Sequence, residues 1–298
     1  MTARGEMVPI SGGVMLMGSD DFYPDERPVH RRVVADFAID RYPVTNRRFA
    51  DFVAATGYVT VAERPLDPTA FPGADPEDLV PGGMVFVPTA GPVDLAHWRQ
   101  WWRWVPGASW RHPEGPESGI DDRMDHPVTQ VAYEDALAYA SWTGARLPTE
   151  AEFEYAARGG HRGRAFAWGD EPFPSGRAMA NTWLGRFPYL HTGPSGARTT
   201  AVGSFPPNDY GLHDMIGNVW EWTSDLYTAR HVDPALTPPD REERPNLLTG
   251  RGPAERRRTL KGGSYLCAPE YCLRFRPAAR SPQSEDTSTT HIGFRCAA

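Results

Sequence analysis

Glycine and proline together make up about one residue in five of this chain, with 29 glycines and 30 prolines in 298 residues. The usual share is about one in eight. Both residues interrupt helices and strands, because proline lacks an N–H donor and glycine lacks a side chain to pack. Ten tryptophans and a hydrophobic content of 40% nevertheless supply enough apolar surface for a folded core. We therefore predict an ordered α+β fold with little regular secondary structure.

The sequence shows no internal repeat, low-complexity tract or abrupt change in composition, so residues 1–298 are predicted to form a single domain. Apolar spacing and end signals predict helices at about 45–57, 133–143 and 149–158, the third beginning with a capping box formed by Thr149 and Glu152. Short strands are predicted at 8–10, 14–17, 31–39, 200–205, 259–265 and 291–296. Residues 65–92 are predicted to form an ordered loop and residues 223–258 a mobile surface segment, because both are rich in proline.

Charge and cysteine content exclude several classes of function. The 31 basic and 38 acidic residues give a net charge of −7, which does not favour binding to nucleic acid or to an anionic membrane surface. No apolar run approaches the roughly 18 residues of a membrane helix. The first residues do not resemble a signal peptide, and three cysteines do not suit a disulfide-rich secreted domain. We therefore expect a cytoplasmic protein.

The common catalytic motifs are absent from the sequence. It contains no phosphate-binding loop, no Gly-x-Gly-x-x-Gly, no Gly-x-Ser-x-Gly and no His-Glu-x-x-His. The most informative feature is instead a pair of cysteines, Cys267 and Cys272. Five residues of helix would place them about 140° apart, and an odd spacing on a strand would place them on opposite faces. The two thiols can therefore meet only across a turn, which Pro269 favours.

Spacing and composition leave four interpretations of this pair open. It can be a structural disulfide, although that is less usual in a cytoplasmic protein. It can be a redox dithiol, although the spacing is not Cys-x-x-Cys. Two thiolates are too few for a zinc site but suit Cu(I) at low coordination number. The fourth interpretation is a pair of buried, unreactive thiols.

A set of motifs along nearly the whole chain resembles the formylglycine-generating enzymes, also called sulfatase-modifying factors. The motifs are Val44-Thr-Asn46, Gly57-Tyr-Val-Thr60, Val105-Pro-Gly-Ala-Ser-Trp-Arg-His-Pro-Glu-Gly115, Arg146-Leu-Pro-Thr-Glu-Ala-Glu-Phe-Glu-Tyr155, Gly217-Asn-Val-Trp-Glu-Trp222, Lys261-Gly-Gly-Ser-Tyr265 and Gly293-Phe-Arg-Cys296. Many of them occur across a wider superfamily, whereas the cysteine pair with Tyr271, Arg274 and Arg276 is specific to the enzymes. The resemblance implies a fold related to the C-type lectin scaffold.

The resemblance also implies the reaction. Family enzymes use O₂ to oxidise the cysteine of a Cys-x-Pro-x-Arg motif in an unfolded or nascent type I sulfatase to Cα-formylglycine. They hold Cu(I) between two active-site thiolates, which here are Cys267 and Cys272. The substrate thiolate becomes a third ligand, hydrogen is taken from the substrate Cβ, and the resulting thioaldehyde is hydrolysed. We expect this chain to act as a monomer, with no nucleic acid or membrane partner.

Further residue roles follow from the resemblance alone. Ser264 and Tyr271 match residues beside the active-site cysteines, and Trp220 matches an aromatic residue at the oxygen and substrate pocket. The tryptophans between residues 98 and 110 can line a groove for an extended peptide or can pack in the core.

Calcium is the second cofactor that the resemblance implies, at two structural sites. One site would use Asp214, Gly217, Val219 and Glu221. The other would use Asn181, Thr182, Ser195 and Ala197. Ser195 stands where family members often have aspartate, and a hydroxyl is a poorer calcium ligand than a carboxylate.

Two alternatives can be compared with this enzyme on sequence alone. A binding module on the lectin-like scaffold would not need the cysteine pair. The iron-dependent sulfoxide synthases need a His-x-x-x-His-x-Glu motif in an extra helical domain, and this chain has neither.

Cys296 lacks the disulfide partner found in secreted relatives and is predicted to be a buried thiol.

Overall fold

Short strands and three short helices, joined by long irregular segments, form the structure. The computed structural model describes residues 5–66, 68–70, 73, 75, 79–231 and 256–298. The helices are α1 (Asn46–Thr56), α2 (Tyr133–Trp142) and α3 (Glu150–Ala157). The strands are β1 (Met7–Ile10), β2 (Gly13–Met17), β3 (His30–Val34), β4 (Phe37–Asp40), β5 (Gly82–Phe86), β6 (Trp102–Pro106), β7 (Gly185–Arg186), β8 (Leu190–His191), β9 (Trp220–Leu226), β10 (Arg257–Lys261), β11 (Arg280–Ser284) and β12 (Ile292–Gly293).

All three predicted helices are present, and their ends show why. The Thr45 hydroxyl accepts a hydrogen bond from the Arg48 N–H at the start of α1, and Gly57 ends the helix in a left-handed conformation with φ of 67°. Helix α3 begins with the capping box of Thr149 and Glu152. The N-cap of α2 is Ala132, whose N–H donates to the Asp135 carboxylate at 2.8 Å. Local signals therefore determine these helices.

The largest sheet has four strands in the order β11-β10-β9-β12. Strand β12 runs parallel to β9, and the other neighbours are antiparallel. The remaining strands form separate pairs, β1 with β4, β2 with β3, β5 with β6 and β7 with β8. This architecture confirms the predicted α+β fold with little regular structure. None of the helices in the described ranges is both long and apolar enough to cross a membrane.

Three strand and loop predictions were wrong in part. The strand predicted at 31–39 is two strands, β3 and β4. Residues 200–205 form turns, because the side-chain amide of Asn218 accepts from the Thr200 N–H at 3.0 Å and donates to the Thr200 carbonyl at 3.1 Å. The segment predicted as a loop at 65–92 contains β5, which pairs with β6.

The segment predicted to be mobile, 223–258, is also divided. Its first residues belong to β9, its last two belong to β10, and residues 232–255 lie outside the described residues.

The tryptophans between residues 98 and 110 divide between core and surface. Trp101 and Trp110 are 0% and 1% exposed, so their role is packing. Trp98 and Trp104 are 44% and 43% exposed. Trp101 belongs to a small hydrophobic cluster that also includes Trp183 and Phe187 and extends to Leu266 and Ala268, beside the first cysteine of the pair.

Candidate active site

The cysteine pair lies in a tight turn that follows strand β10. The Cys267 N–H donates to the Ser264 carbonyl at 2.9 Å, and the Cys272 N–H donates to the Ala268 carbonyl at 2.6 Å. These bonds fold the chain back so that the two Sγ atoms are 3.4 Å apart. The predicted turn is therefore present, and it brings the two thiols into contact. Both cysteines are free thiols in this structure.

The two thiols differ in their electrostatic environment. The pKa of Cys272 is lowered, chiefly by a hydrogen bond from Cys267 and further by the positive charge of Arg274. The pKa of Cys267 is raised, chiefly by burial, which disfavours a thiolate without a cation beside it. The Ser264 N–H, at 3.4 Å from the Cys267 Sγ, is a further polar contact. The two environments therefore favour loss of the proton from Cys272 before Cys267.

Tyr271 places an aromatic ring beside the pair. Its ring stacks on Phe187 with centroids 4.5 Å apart and an interplanar angle of 2°. Trp101 packs edge-on against the same ring at 5.5 Å. The side chain stays 37% exposed. Tyr271 thus contacts the buried cluster with one face while part of it remains open to solvent next to the thiols.

Ser264 and Trp220 are connected through a residue that the sequence did not indicate. The Ser264 Oγ lies 3.1 Å from Nδ1 of His291, and the Trp220 N–H donates to the His291 carbonyl at 2.8 Å. Ser264 is fully buried and Trp220 is 5% exposed. Trp220 belongs to the hydrophobic cluster that includes Cys267.

Residues 22–26, near the start of the chain, contact the segment that follows Cys272. The Tyr23 hydroxyl accepts from the N–H of Leu273 at 2.9 Å, and its ring lies under the Arg274 guanidinium at 4.0 Å. Asp25 accepts from Arg274 at 2.9 Å. This segment therefore holds the arginine that lowers the pKa of Cys272.

Glu26 makes the second charged contact between these segments. Its carboxylate bonds the Arg276 guanidinium through two N–H···O contacts at 2.9 and 2.5 Å, and both side chains are essentially unexposed. The Arg276 Nε also donates to the Leu273 carbonyl at 2.8 Å. No local sequence signal pointed to residues 22–26, because the ion pair joins residues 250 positions apart.

The two carboxylates of the first predicted calcium loop are buried, and Arg295 neutralises the charge of one of them, Glu221. The Asp214 carboxylate accepts from the Gly203 N–H at 2.7 Å. Both oxygens of Glu221 are bonded to the Arg295 guanidinium at 2.8 Å. Burial raises the pKa of both carboxyl groups. Within the described residues no cluster of three or more Asp, Glu, His or Cys side chains could hold a metal, so a cation here would depend on backbone carbonyls such as those of Gly217 and Val219.

The residues of the second predicted calcium loop also lie close together. The Ser195 hydroxyl donates to the Asn181 Oδ1 at 3.2 Å. The Thr182 hydroxyl is buried, and the described residues offer it no hydrogen-bond partner. Ala197 packs against the cluster that includes Trp183. Of the four predicted ligands, Ser195 and Asn181 are thus in direct contact, and Ser195 supplies a hydroxyl, not a carboxylate.

The comparison with known families decides the assignment. The profile described as "Sulfatase-modifying factor enzyme 1-like domain" matches residues 2–298. This chain belongs to that family.

Family relatives and solved structures agree with the match. The formylglycine-generating enzyme of Mycobacterium tuberculosis is 61% identical over 295 residues, covering 98% of this chain and 97% of that relative. The enzyme of the same name from Mus musculus is 45% identical and covers 99% of this chain and 76% of the relative. Among solved structures, PvdO from Pseudomonas aeruginosa superimposes with a TM-score of 0.64 at 26% identity, covering 100% of this chain and 95% of the other.

These matches confirm the resemblance that the motifs indicated. The fold is that of the sulfatase-modifying factor family, and the chain is an enzyme of the formylglycine-generating type.

Proposed function

We propose that Cys267 and Cys272 together bind Cu(I), and that the enzyme uses O₂ there to oxidise the cysteine of a Cys-x-Pro-x-Arg motif in a type I sulfatase to Cα-formylglycine. The observation that carries this proposal is the contact between two thiols that form no disulfide, Cys267 buried and Cys272 half-buried, whose Sγ atoms are 3.4 Å apart. Soft thiolates at low coordination number favour Cu(I) over harder cations. The residues present therefore fit the metal.

Bound copper would supply the reaction with O₂ that thiols alone carry out slowly. The protein's own residues prepare the site for that chemistry. Cys272 has the lowered pKa, which favours its thiolate over that of Cys267, while the Ser264 N–H and the burial of Cys267 keep the pair in a defined geometry. Tyr271, supported by Phe187, shields the pair from bulk water on one side.

The substrate side chain loses one hydrogen from sulfur and one from Cβ and becomes a thioaldehyde, with O₂ as the electron acceptor. Water then replaces the sulfur, which leaves as hydrogen sulfide, and the aldehyde remains. This chemistry requires the substrate cysteine to reach a pair of which Cys267 is buried and Cys272 half-buried, so an extended, unfolded sulfatase segment suits the site. The exposed part of Tyr271, which lies beside the two thiols, offers aromatic contact area for such a segment.

Three further assignments belong to this proposal. The enzyme acts as a monomer, because one chain supplies both thiols. It works in the cytoplasm, which agrees with Cys267, Cys272 and Cys296 forming no disulfide. It binds structural calcium at the loop of Asp214 and Glu221, where Arg295 is bonded to the Glu221 carboxylate and the buried Asp214 carboxylate accepts from the Gly203 N–H.

The test of the copper site is an aerobic assay on a peptide containing Cys-Thr-Pro-Ser-Arg, with and without added copper. Conversion is followed by mass spectrometry and confirmed by oximation of the new aldehyde with hydroxylamine. We expect copper to stimulate conversion, and Cys267→Ser and Cys272→Ser to abolish it without loss of the fold. Cys296→Ala, which changes a buried thiol outside the pair, should remain active. A folded Cys272→Ser variant with full activity would contradict the proposal.

Calcium is tested separately, by thermal unfolding in the presence of calcium and of a chelator. We expect calcium to raise the melting temperature of the unmodified enzyme and to have no effect on Asp214→Asn. The site is refuted if calcium leaves the melting temperature of the unmodified enzyme unchanged.

A further inference from the structure

His291 is held rigidly by contacts on its backbone and its ring. Its N–H faces the Thr289 hydroxyl at 3.4 Å, and its carbonyl accepts from the Trp220 N–H at 2.8 Å. The ring packs edge-on against Trp102, with centroids 4.8 Å apart. The residue immediately precedes β12, which adds in parallel to β9. The position of the imidazole is thus set by the central sheet and by an aromatic side chain.

The hydrogen-bonding groups of Ser264 are almost all occupied within the cysteine turn. Its N–H points at the Cys267 Sγ, and its carbonyl accepts from the Cys267 N–H. Its Oγ accepts a hydrogen bond from the Leu266 N–H at 3.3 Å. Only the direction of the Ser264 O–H bond is left unset by these contacts. The Ser264 Oγ lies 3.1 Å from Nδ1 of His291.

The charge state of His291 decides what this contact can do. Burial lowers the pKa of His291 to about 3, and no acidic neighbour opposes that effect. The ring is therefore neutral at physiological pH, with one nitrogen that donates and one that accepts. So weak a base is poorly suited to store a proton from a thiol. A neutral imidazole in either tautomer does form a hydrogen bond with a hydroxyl, and that bond fixes the hydroxyl in one orientation.

We infer that His291 is a positioning residue for the reaction, which holds the Ser264 hydroxyl in a fixed orientation beside the Cys267–Cys272 pair. The inference rests on the proposal that this pair is the reaction centre. His291 itself touches neither thiol in the contacts of the described residues. It acts through Ser264, so its loss should lower kcat and leave the KM for the sulfatase peptide nearly unchanged.

A double-mutant cycle separates this role from a general structural one. The variants are His291→Leu, which keeps bulk and loses the polar atoms, Ser264→Ala, and the two combined. We expect His291→Leu to lower kcat by about three- to tenfold, the range of one neutral hydrogen bond. In the Ser264→Ala background the same change should alter kcat by less than twofold, because the hydroxyl that His291 orients is already absent.

A conservative variant and a stability measurement complete the test. His291→Asn keeps a polar group at the position of Nδ1, so it should recover most of the kcat lost in His291→Leu. Melting temperatures of all variants verify that the fold is retained. Equal losses in both Ser264 backgrounds, or an Asn variant as slow as the Leu variant, would overturn the inference. Failure of the copper site itself would appear differently, as an unmodified enzyme that copper does not stimulate.

Discussion

The ion pair between Glu26 and Arg276 gives the sharpest prediction about what holds the active-site turn in place. Its two side chains are 0% and 1% exposed, and Phe22 covers the guanidinium at 3.7 Å. Glu26→Gln keeps the shape of the side chain but leaves the buried arginine without a counter-charge. Removing the charge of one partner in a buried ion pair lowers the free energy of unfolding by about 3–5 kcal/mol.

For a chain of 298 residues, that loss corresponds to a decrease in melting temperature of roughly 5–8 °C. The same change should expose the segment that carries Cys272, since Arg276 also bonds the Leu273 carbonyl. We therefore expect Cys272 in the Glu26→Gln variant to react faster with a thiol reagent in the metal-free, reduced protein. Thermal unfolding and the rate of thiol labelling measure the two effects.

Two control variants show whether burial is the cause. Asp94→Asn breaks an ion pair with His97 at 2.9 Å whose side chains are 64% and 69% exposed, so its cost should lie near zero. Glu26→Leu combined with Arg276→Met removes both charges and should recover much of the lost stability, because an apolar replacement does not strand a charge. A Glu26→Gln variant that unfolds within a degree of the unmodified protein would refute the reasoning.

Three further predictions concern stability. Burial raises the pKa of Asp135 to about 6, above the value near 3.9 of an unfolded carboxyl, so the native state binds the proton more tightly and stability should fall as pH rises from about 4 to about 6. Asp135→Asn should remove this slope in urea unfolding across that pH range, and an unchanged slope would rule out Asp135 as its source. Gly217→Ala should lower the free energy of unfolding by well over 1 kcal/mol, because φ at this position is +77° and the new Cβ would lie 2.6 Å from the Asn181 carbonyl oxygen. Gly57 has a similar φ of +67° but open space around it, so Gly57→Ala should cost only about 1 kcal/mol in the same denaturant titration. Thr149→Ala should cost about 1 kcal/mol through loss of the α3 cap, and a neutral result in thermal unfolding would show that tertiary contacts, not the cap, determine this helix.

The helices were predictable because their signals are local. Thr45 and Gly57 bound α1, and Thr149 with Glu152 starts α3, all within a few residues of the elements they define. Nothing in the sequence argued against the strand predicted at 200–205. Its Thr200 backbone groups bond to the side chain of Asn218 and not to a neighbouring strand, and Asn218 is 18 residues away in the sequence.

The same distinction applies to the active site. The spacing and Pro269 predicted only that Cys267 and Cys272 could meet across a turn, and the coordinates show that they do. The roles of Glu26 and His291 depend on contacts with residues 250 and 27 positions away, and nothing in their immediate neighbourhood indicates them. Resemblance to a family identified the thiols, whereas the residues that orient them required coordinates.

The contact between residues 22–26 and the cysteine turn also has a consequence for biosynthesis. A ribosome adding about 5–20 residues per second completes the N-terminal segment long before it reaches Arg276, which must be made before the Glu26 contact can form. Cys267 and Cys272 are likewise made long after residues 22–26, because they lie more than 240 residues further along the chain. A premature stop before Arg276 would therefore yield a polypeptide that lacks the contact anchoring its own reactive turn. If the proposed copper site is correct, a nascent chain should be able to bind copper there only after the segment that contains Cys267, Cys272 and Arg276 has been made.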